Sequence, residues 1–230
     1  MPKRLSGYNT AHIALKALKN AHKATFSHSI RTAKVALKIA AKMDPVLYFA
    51  LHGVPCATPC NVRDAALFHD IGKLFVPVHI LEKNGKLTVQ ERENVSPHPI
   101  WGEQILLSSA DHRVRKLARF VREHHELPDG SGYPSKLTLD EIAPVSRVIN
   151  IADRFAALTE NRPYRKAVIP EFAIEILRSD INAFFGYEAS KLIDVLAGFW
   201  AGAAPKQTHD NSTILAPTTA FFHSEFAMAG

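Results

Sequence analysis

Two adjacent histidines, His124 and His125, stand directly before a glycine-rich loop that runs from Asp129 to Pro134. In residues 110–125, apolar and basic side chains recur with helical spacing, so we expect both imidazoles at the end of one amphipathic helix, on its buried face. A buried imidazole nitrogen without a partner costs about 2 kcal/mol or more. The pattern therefore indicates either hydrogen-bonded core histidines or metal ligands.

The same two explanations apply to four other places where a histidine or an aspartate falls among apolar residues. They are His28 in a helix over residues 24–43, His69-Asp70 in a helix from Arg63 to Lys73, His98 at a helix entrance, and Asp153 in a helix from Pro144 to about Glu160. Buried carboxylates are rare without a cation partner. Taken together, these residues predict a binuclear metal site.

The donor types narrow the choice of metal. Imidazoles and carboxylates without a thiolate suit iron, manganese or zinc, and they suit magnesium poorly. We expect Asp70 to bridge the two ions, because one carboxylate can give an oxygen to each. Gly72 costs a helix about 1 kcal/mol relative to alanine, which indicates that another part of the chain approaches its backbone closely.

The remaining segments also read as helices, and no convincing strand pair is found, so the fold class is predicted to be all-α. Two candidate capping boxes, Thr88 with Glu91 and Thr138 with Glu141, each predict a helix start. A Pro-rich loop is expected around Cys56 and Cys60, where two inert thiols, a disulfide or half a metal site remain open. Further helices are predicted at residues 9–22, from Pro99 onward, at 172–179 and at 188–200.

Charge is distributed unevenly along the 230 residues. Residues 1–43 hold nine Lys and Arg and no acid, whereas the rest holds 19 basic against 22 acidic residues, within a net charge of +6. This basic segment is either a solvated face or a surface for a phosphorylated ligand, an acidic partner or anionic lipid. No apolar run is long enough to span a membrane and no signal peptide is evident, so we expect a cytoplasmic protein.

The ordered series of motifs resembles the HD-GYP family, a branch of the HD-domain metal phosphohydrolases. The matching residues are His28, His69-Asp70-x-Gly72-Lys73, His98-Pro-x-x-Gly102, His124-His125-Glu126-x-x-Asp129-Gly-x-Gly132-Tyr133-Pro134, Asp153 and Arg162-Pro163-Tyr164-Arg165. The match spans about residues 25–200. It implies an HD-domain helical bundle with the HD-GYP C-terminal helical extension, and hydrolysis of cyclic di-GMP to pGpG or GMP.

The resemblance also implies roles for twelve of the matching residues. One metal would take His28, His69, Asp70 and Asp153, and the other would take Asp70, His98, His124 and His125. The substrate would be held by Lys73, Gly132, Tyr133, Arg162 and Arg165. Asp70 and Lys73 are the expected catalytic residues, acting with a hydroxide that bridges the metals.

Two residues depart from the family pattern. Ala24 stands where members with a third metal carry a glutamate, so two metals are expected. Ala156 replaces an aspartate that usually follows the Asp153 ligand, which puts local support of the site in question. The receiver or sensory domain often fused to this family is too large for the basic N-terminal segment, residues 1–23.

The predicted domain covers residues 24–202, and residues 203–230 are expected to be poorly ordered. Besides catalysis, two functions remain open: a module that senses a cyclic dinucleotide or docks a partner such as a diguanylate cyclase through its Gly-Tyr-Pro loop, and hydrolysis of another cyclic dinucleotide. No polymeric nucleic acid is expected as a partner. The expectation of a possible homodimer is based only on the general frequency of two-fold symmetric homo-oligomers.

Overall fold

The computed structural model describes residues 10–43, 58–162, 165–184 and 186–200. In these ranges the regular structure is helical, apart from the isolated bridges Asp129–Thr138 and Arg162–Arg165, and the predicted all-α class is confirmed. The helices are α1 Thr10–Ala21, α2 Lys23–Lys42, α3 Pro59–Phe68, a 3₁₀ helix Ile71–Phe75, α4 Val78–Leu81, α5 Val89–Val95, α6 His98–Leu107, α7 His112–Arg115, α8 Ala118–Glu123, α9 Pro144–Leu158, α10 Pro170–Phe184 and α11 Gly186–Trp200.

Helix α2 packs against α3 on one side and α9 on another. Its buried residues, including Thr32, Val35, Ala36 and Ile39, recur at the spacing of one helical face. Burying each large aliphatic side chain of this kind stabilises the fold by about 1.5–3 kcal/mol. Helix α1 also packs against α2, and its Ala11 and Leu18 belong to the core. The basic N-terminal segment therefore contributes core residues.

Helix α9 is buried along its whole length. Pro144 occupies its first turn, and the carboxylate of Glu123 accepts hydrogen bonds from the backbone N–H of Ala143 at 2.8 Å and from the hydroxyl of Ser146 at 3.0 Å. These bonds satisfy donors that a helix start otherwise leaves unpaired. The central position of α9 fixes the residues that project from it.

Two predicted helices are interrupted, which corrects the sequence-based prediction. The helix expected over residues 110–125 is divided into α7 and α8 by a turn at Lys116 and Leu117. The helix expected from Arg63 to Lys73 ends at Phe68, and the chain continues as the 3₁₀ helix after Asp70. The break after Phe68 puts His69 at a helix end, and a hydrophobic pattern does not detect either break.

Three smaller features complete the comparison. The capping box of Thr88 and Glu91 forms at the start of α5 and confirms that prediction. Glu141 bonds Thr138 as expected, but the segment is a turn and the next helix begins at Pro144. Cys60 lies in the first turn of α3 with an exposed thiol, so it does not lie in a loop. Cys56 and residues 203–230 lie outside the described residues.

In the described part of the chain, no helix combines the length and apolar character that crossing a bilayer requires.

Candidate metal centre

A first cluster of potential ligands brings together residues that are far apart in the sequence. It consists of His28 from α2, His69 at the end of α3 and Asp153 from α9, with ligand atoms that all lie within 4.8 Å of one another. Nε2 of His28 lies 2.6 Å from Oδ1 of Asp153, and Nε2 of His69 lies 3.6 Å from the same oxygen. This cluster holds two imidazoles around one carboxylate.

A second cluster contains only imidazoles. It consists of His98 at the start of α6 and His124 and His125 just after α8, again with ligand atoms within 4.8 Å of one another. Nε2 of His98 and Nε2 of His124 are 3.3 Å apart. The buried rings can therefore offer several nitrogen donors to one ion.

Asp70 lies between the two clusters. Its Oδ2 is 3.4 Å from Nε2 of His69, and its Oδ1 is 3.3 Å from Nε2 of His98. The two oxygens thus face different clusters, which is the arrangement that a bridging ligand needs. The structure brings all the predicted metal ligands into one buried centre, while ligation itself stays a prediction.

Helix ends hold three of the imidazoles in the same way. Nδ1 of His69, His98 and His124 each donates a hydrogen bond to the carbonyl of the residue three positions earlier, at 2.7, 2.8 and 2.6 Å. Those carbonyls lie in final helical turns, where no intrahelical donor is available. Because Nδ1 carries the proton, Nε2 of each ring is the nitrogen that faces the centre and can bind metal.

The three imidazoles of the second cluster are uncharged. Burial lowers the pKa of His98 below its usual value and lowers those of His124 and His125 much further, and neighbouring imidazoles add to the effect at the last two. A metal ligand must be an unprotonated imidazole. These three rings are therefore in the binding form at neutral pH.

The two carboxylates are ionised. Burial alone would raise the pKa of Asp70, but His69 and Lys73 outweigh it and hold that pKa well below its usual value. For Asp153 the neighbouring imidazoles of His28 and His69 have the same effect on the pKa. Both carboxylates can thus act as anionic ligands.

The first cluster has protons that a metal can replace. Burial lowers the pKa of His69, yet Asp70 and Asp153 raise it to about 10, and the pKa of His28 also rises because Asp153 and Glu160 outweigh its burial. The buried Nε2 of His69 and Oδ1 of Asp70 have no hydrogen-bond partner among the described residues. Buried donors of this kind fit a cation that takes the place of the proton.

Glycines let the backbone pack tightly around the centre. A Cβ on Gly72 would lie 2.0 Å from the carbonyl oxygen of His98, which confirms the close approach predicted there. A Cβ on Gly132 would lie 2.2 Å from the backbone nitrogen of Leu127. Gly132, predicted to bind substrate, is thus also required for packing, because a larger residue would collide with the backbone of Leu127.

The loop after His125 is held by a buried carboxylate that the sequence reasoning did not single out. Glu126 accepts hydrogen bonds from the backbone of Ser135 at 2.5 Å and of Leu137 at 2.9 Å. The ring of Tyr133 then stacks on His125 with centroids 4.8 Å apart, and burial raises the pKa of its hydroxyl well above the usual value. Tyr133 covers the second cluster as a neutral phenol.

The cationic residues predicted to hold substrate differ in their surroundings. Nζ of Lys73 lies 2.8 Å from Oδ2 of Asp70, directly at the centre. Nε of Arg162 lies 3.5 Å from Glu160, which in turn approaches His28. Arg165 donates hydrogen bonds to the carbonyls of Ala157 and Leu158 at the end of α9, so part of its guanidinium closes a helix terminus.

Two further residues support the centre without having been predicted. Asn150 donates a hydrogen bond of 2.8 Å to the carbonyl of His124, and Glu160 lies 3.1 Å from Nδ1 of His28. Asn150 lies on the buried face of α9, and a polar residue in that position could have been predicted from the sequence to make a buried hydrogen bond. For Glu160 the sequence carried none, because it lies 132 residues from His28.

Comparison with known proteins agrees with this geometry. The HD domain family model matches residues 16–185. The chain is 43% identical over 121 residues to the 3′3′-cGAMP-specific phosphodiesterase 3 of Vibrio cholerae, which covers 53% of this chain and 26% of that protein. It is 36% identical over 124 residues to the cyclic di-GMP phosphodiesterase response regulator RpfG of Xanthomonas campestris, covering 54% and 33% respectively.

A solved HDGYP protein from Bdellovibrio bacteriovorus has the same fold, with a TM-score of 0.56 and 19% identity over 78% of this chain and 53% of its own. The chain spans about a quarter to a third of the length of the curated relatives named above. The family match over most of the chain, the relatives and the ordered motifs lead to one assignment. The chain belongs to the HD-domain family, in its HD-GYP branch.

Proposed function

We propose that this chain hydrolyses a phosphodiester bond of cyclic di-GMP and releases pGpG, GMP or both. The observation that supports this best is the position of Asp70, whose two oxygens face the two ligand clusters. In two-metal phosphodiester hydrolases, the metals lie a few ångströms apart and stabilise both the attacking and the leaving oxygen. A carboxylate between two clusters suits that chemistry and serves little purpose in a simple hydrophobic core.

Proteins of the HD-domain family depend on metals, and the clusters identified above would hold two divalent ions here. His28, His69, Asp70 and Asp153 would hold one ion, and Asp70, His98, His124 and His125 the other. Nitrogen and oxygen donors without sulfur favour iron or manganese. When bound, the ions would supply the positive charge and the acidified water that phosphodiester hydrolysis requires.

The chain's own residues would bind and orient the substrate. Lys73 shares one of its three N–H donors with Asp70, so the others can bond the phosphoryl oxygens on which negative charge grows. Tyr133 covers His125 and limits access of bulk water to that side. Arg162, which pairs with Glu160 at the edge of the first cluster, would bind the second phosphate of a cyclic dinucleotide.

The proposal is tested by incubating purified protein, loaded with iron or manganese, with cyclic di-GMP and separating the linear products. We expect conversion to pGpG or GMP that Asp70→Ala abolishes. Product formation equal to that of Asp70→Ala would refute catalysis. Tight binding of intact cyclic di-GMP in that case would favour the sensor or docking role instead.

A second substrate is supported by one comparison. The relative at 43% identity is named as specific for 3′3′-cGAMP, in which one guanine is replaced by adenine. The same assay with equal concentrations of 3′3′-cGAMP and cyclic di-GMP gives the ratio of kcat/KM. A ratio that favours 3′3′-cGAMP tenfold or more would reassign the substrate while leaving the hydrolytic chemistry intact.

A further inference from the structure

Among the ligand histidines with described Nδ1 contacts, His28 is held differently from the others. His69, His98 and His124 donate Nδ1–H to backbone carbonyls at helix ends. His28 lies inside α2, a helix of 20 residues, where the backbone carbonyls around it bond within the helix. Its outer nitrogen must therefore find a partner from another part of the chain.

The group that meets it is the carboxylate of Glu160, just after the end of α9, which forms an ion pair with the ring and not an aligned hydrogen bond. Oε1 of Glu160 lies 3.1 Å from Nδ1 of His28, while Nε2 of the same ring lies 2.6 Å from Asp153 on the metal side. The ring thus has one nitrogen toward the centre and one toward a carboxylate outside it. A carboxylate in this position fixes the ring orientation and makes the metal-facing nitrogen more basic.

Two guanidinium groups hold Glu160 in this position. Nε of Arg31 lies 3.7 Å from Oε2, and Nε of Arg162 lies 3.5 Å from Oε1. The side chain of Glu160 is 17% exposed, so burial opposes its charge and the two cations offset that cost. Glu160 therefore contacts His28, Arg31 and Arg162, and Arg162 is also the proposed phosphate-binding arginine.

We propose that Glu160 is a positioning residue of the first cluster, which acts through His28 to raise metal affinity at that cluster and leaves the second cluster unaffected. The proposal rests on the metal centre described under the proposed function. In this proposal the Glu160 side chain orients the ring of His28, as backbone carbonyls orient the rings of His69, His98 and His124. Loss of such supporting groups typically lowers metal affinity about 10- to 100-fold.

The test measures manganese bound per chain, by mass spectrometry of the dialysed full chain, against graded concentrations of a chelator. Wild-type protein and Asp194→Asn should retain both ions over the same range. Asp194 is a suitable control because it pairs with Arg178 at 2.7 Å on α10 and α11, so its substitution also removes a carboxylate from an arginine pair. Glu160→Gln should lose one ion at about 10-fold lower chelator and keep the other.

A second pair of variants tests whether Glu160 acts through His28. Adding Glu160→Gln to His28→Ala should cause no further loss of metal, because the ring that it positions is already absent. Glu160→Asp, which keeps the charge but shortens the reach, should fall between wild type and Glu160→Gln. Thermal melting of each metal-free variant separates these effects from unfolding.

The contrary outcomes are distinct. Retention of both ions by Glu160→Gln at wild-type chelator concentrations would overturn the role of Glu160, as would equal weakening of both ions or a further loss in the His28→Ala background. Failure of the wild-type chain to bind two ions would overturn the proposed metal centre as well. Absence of cyclic di-GMP hydrolysis by a chain that still shows the selective ion loss would refute only the proposed activity.

Discussion

The two ligand clusters are built from different kinds of structure. The first takes His28 and Asp153 from the interior of the long helices α2 and α9 and contains a carboxylate. The second takes His98, His124 and His125 from the ends of short helices and carries imidazoles alone. One side of the centre therefore depends on the packing of the main core, and the other depends on how short helices begin and end.

The two clusters also differ in protonation and in the source of their negative charge. Asp153 and the carboxylates beside the first cluster raise the pKa of His28 and His69, so an incoming ion must compete with protons there. In the second cluster burial already keeps the imidazoles neutral, and the negative charge comes from Asp70. We expect the first ion to be held mainly by charge and the second by a preformed set of neutral donors.

The largest effect is expected where the two clusters meet. Asp70→Ala removes the carboxylate that faces both, so we expect both ions to be lost and kcat to fall about 10³-fold or more, since several kcal/mol of charge stabilisation disappear. Metal content and turnover of cyclic di-GMP measure this, with Asp70→Asn as the variant of closest shape. Retention of two ions by Asp70→Ala would mean that the clusters bind independently.

A paired substitution should separate the clusters. Asp153→Asn removes the carboxylate of the first cluster and His125→Gln removes an imidazole of the second, so each should leave about one ion per chain and lower kcat by about 10²-fold. Ion counts at neutral pH and activity measure the pair. The comparison fails if either variant loses both ions or neither.

The loop beside the second cluster provides a smaller effect. Gly132→Ala places a Cβ against the backbone of Leu127, so the loop must shift and we expect the free energy of unfolding to fall by about 1–3 kcal/mol. Gly198→Ala is the matched control, because nothing lies within 4 Å of its Cβ in α11. Denaturant unfolding measures both variants.

Metal content completes that test. Because Tyr133 stacks on His125, the ion of the second cluster should weaken in Gly132→Ala while the first ion stays bound. An unchanged stability and ion count would contradict the packing role of Gly132.

The smallest effect is expected at the end of α9. Arg165→Met removes hydrogen bonds to the carbonyls of Ala157 and Leu158, which should lower the free energy of unfolding by about 1 kcal/mol and leave two ions bound. Arg113→Met is the control, because its side chain is 89% exposed beside Asp111. A rise in KM without a loss of stability would instead make Arg165 chiefly a substrate ligand.

Much of this centre could be predicted from the sequence, because chemistry and periodicity are local signals. The apolar spacing that predicted α2 and α9 also put His28 and Asp153 toward the core, and Gly72 indicated a close backbone contact that the structure contains. Residue types alone then limited the plausible metals. None of these inferences required knowledge of contacts between distant segments.

The sequence did not predict where some helices end or which distant residues are in contact. The helix expected over residues 63–73 is interrupted where His69 turns toward the centre, and the helix expected over residues 110–125 is interrupted at Lys116 and Leu117, although the apolar pattern continues through both breaks. The contact of Glu160 with His28 depends on how α2 and α9 pack. Periodicity reports which face of a helix is buried, and it carries no information on which distant residue will meet that face.

The hydrogen bonds from Nδ1 to the carbonyls of Ala66, Val95 and Val121 make the centre sensitive to chain length as well as to residue type. Each three-residue step fixes an imidazole relative to the helix that precedes it. Inserting or deleting one residue within such a step would turn the ring by about 100° around the helix axis and away from the metal. The number of residues within each of these steps must therefore stay constant.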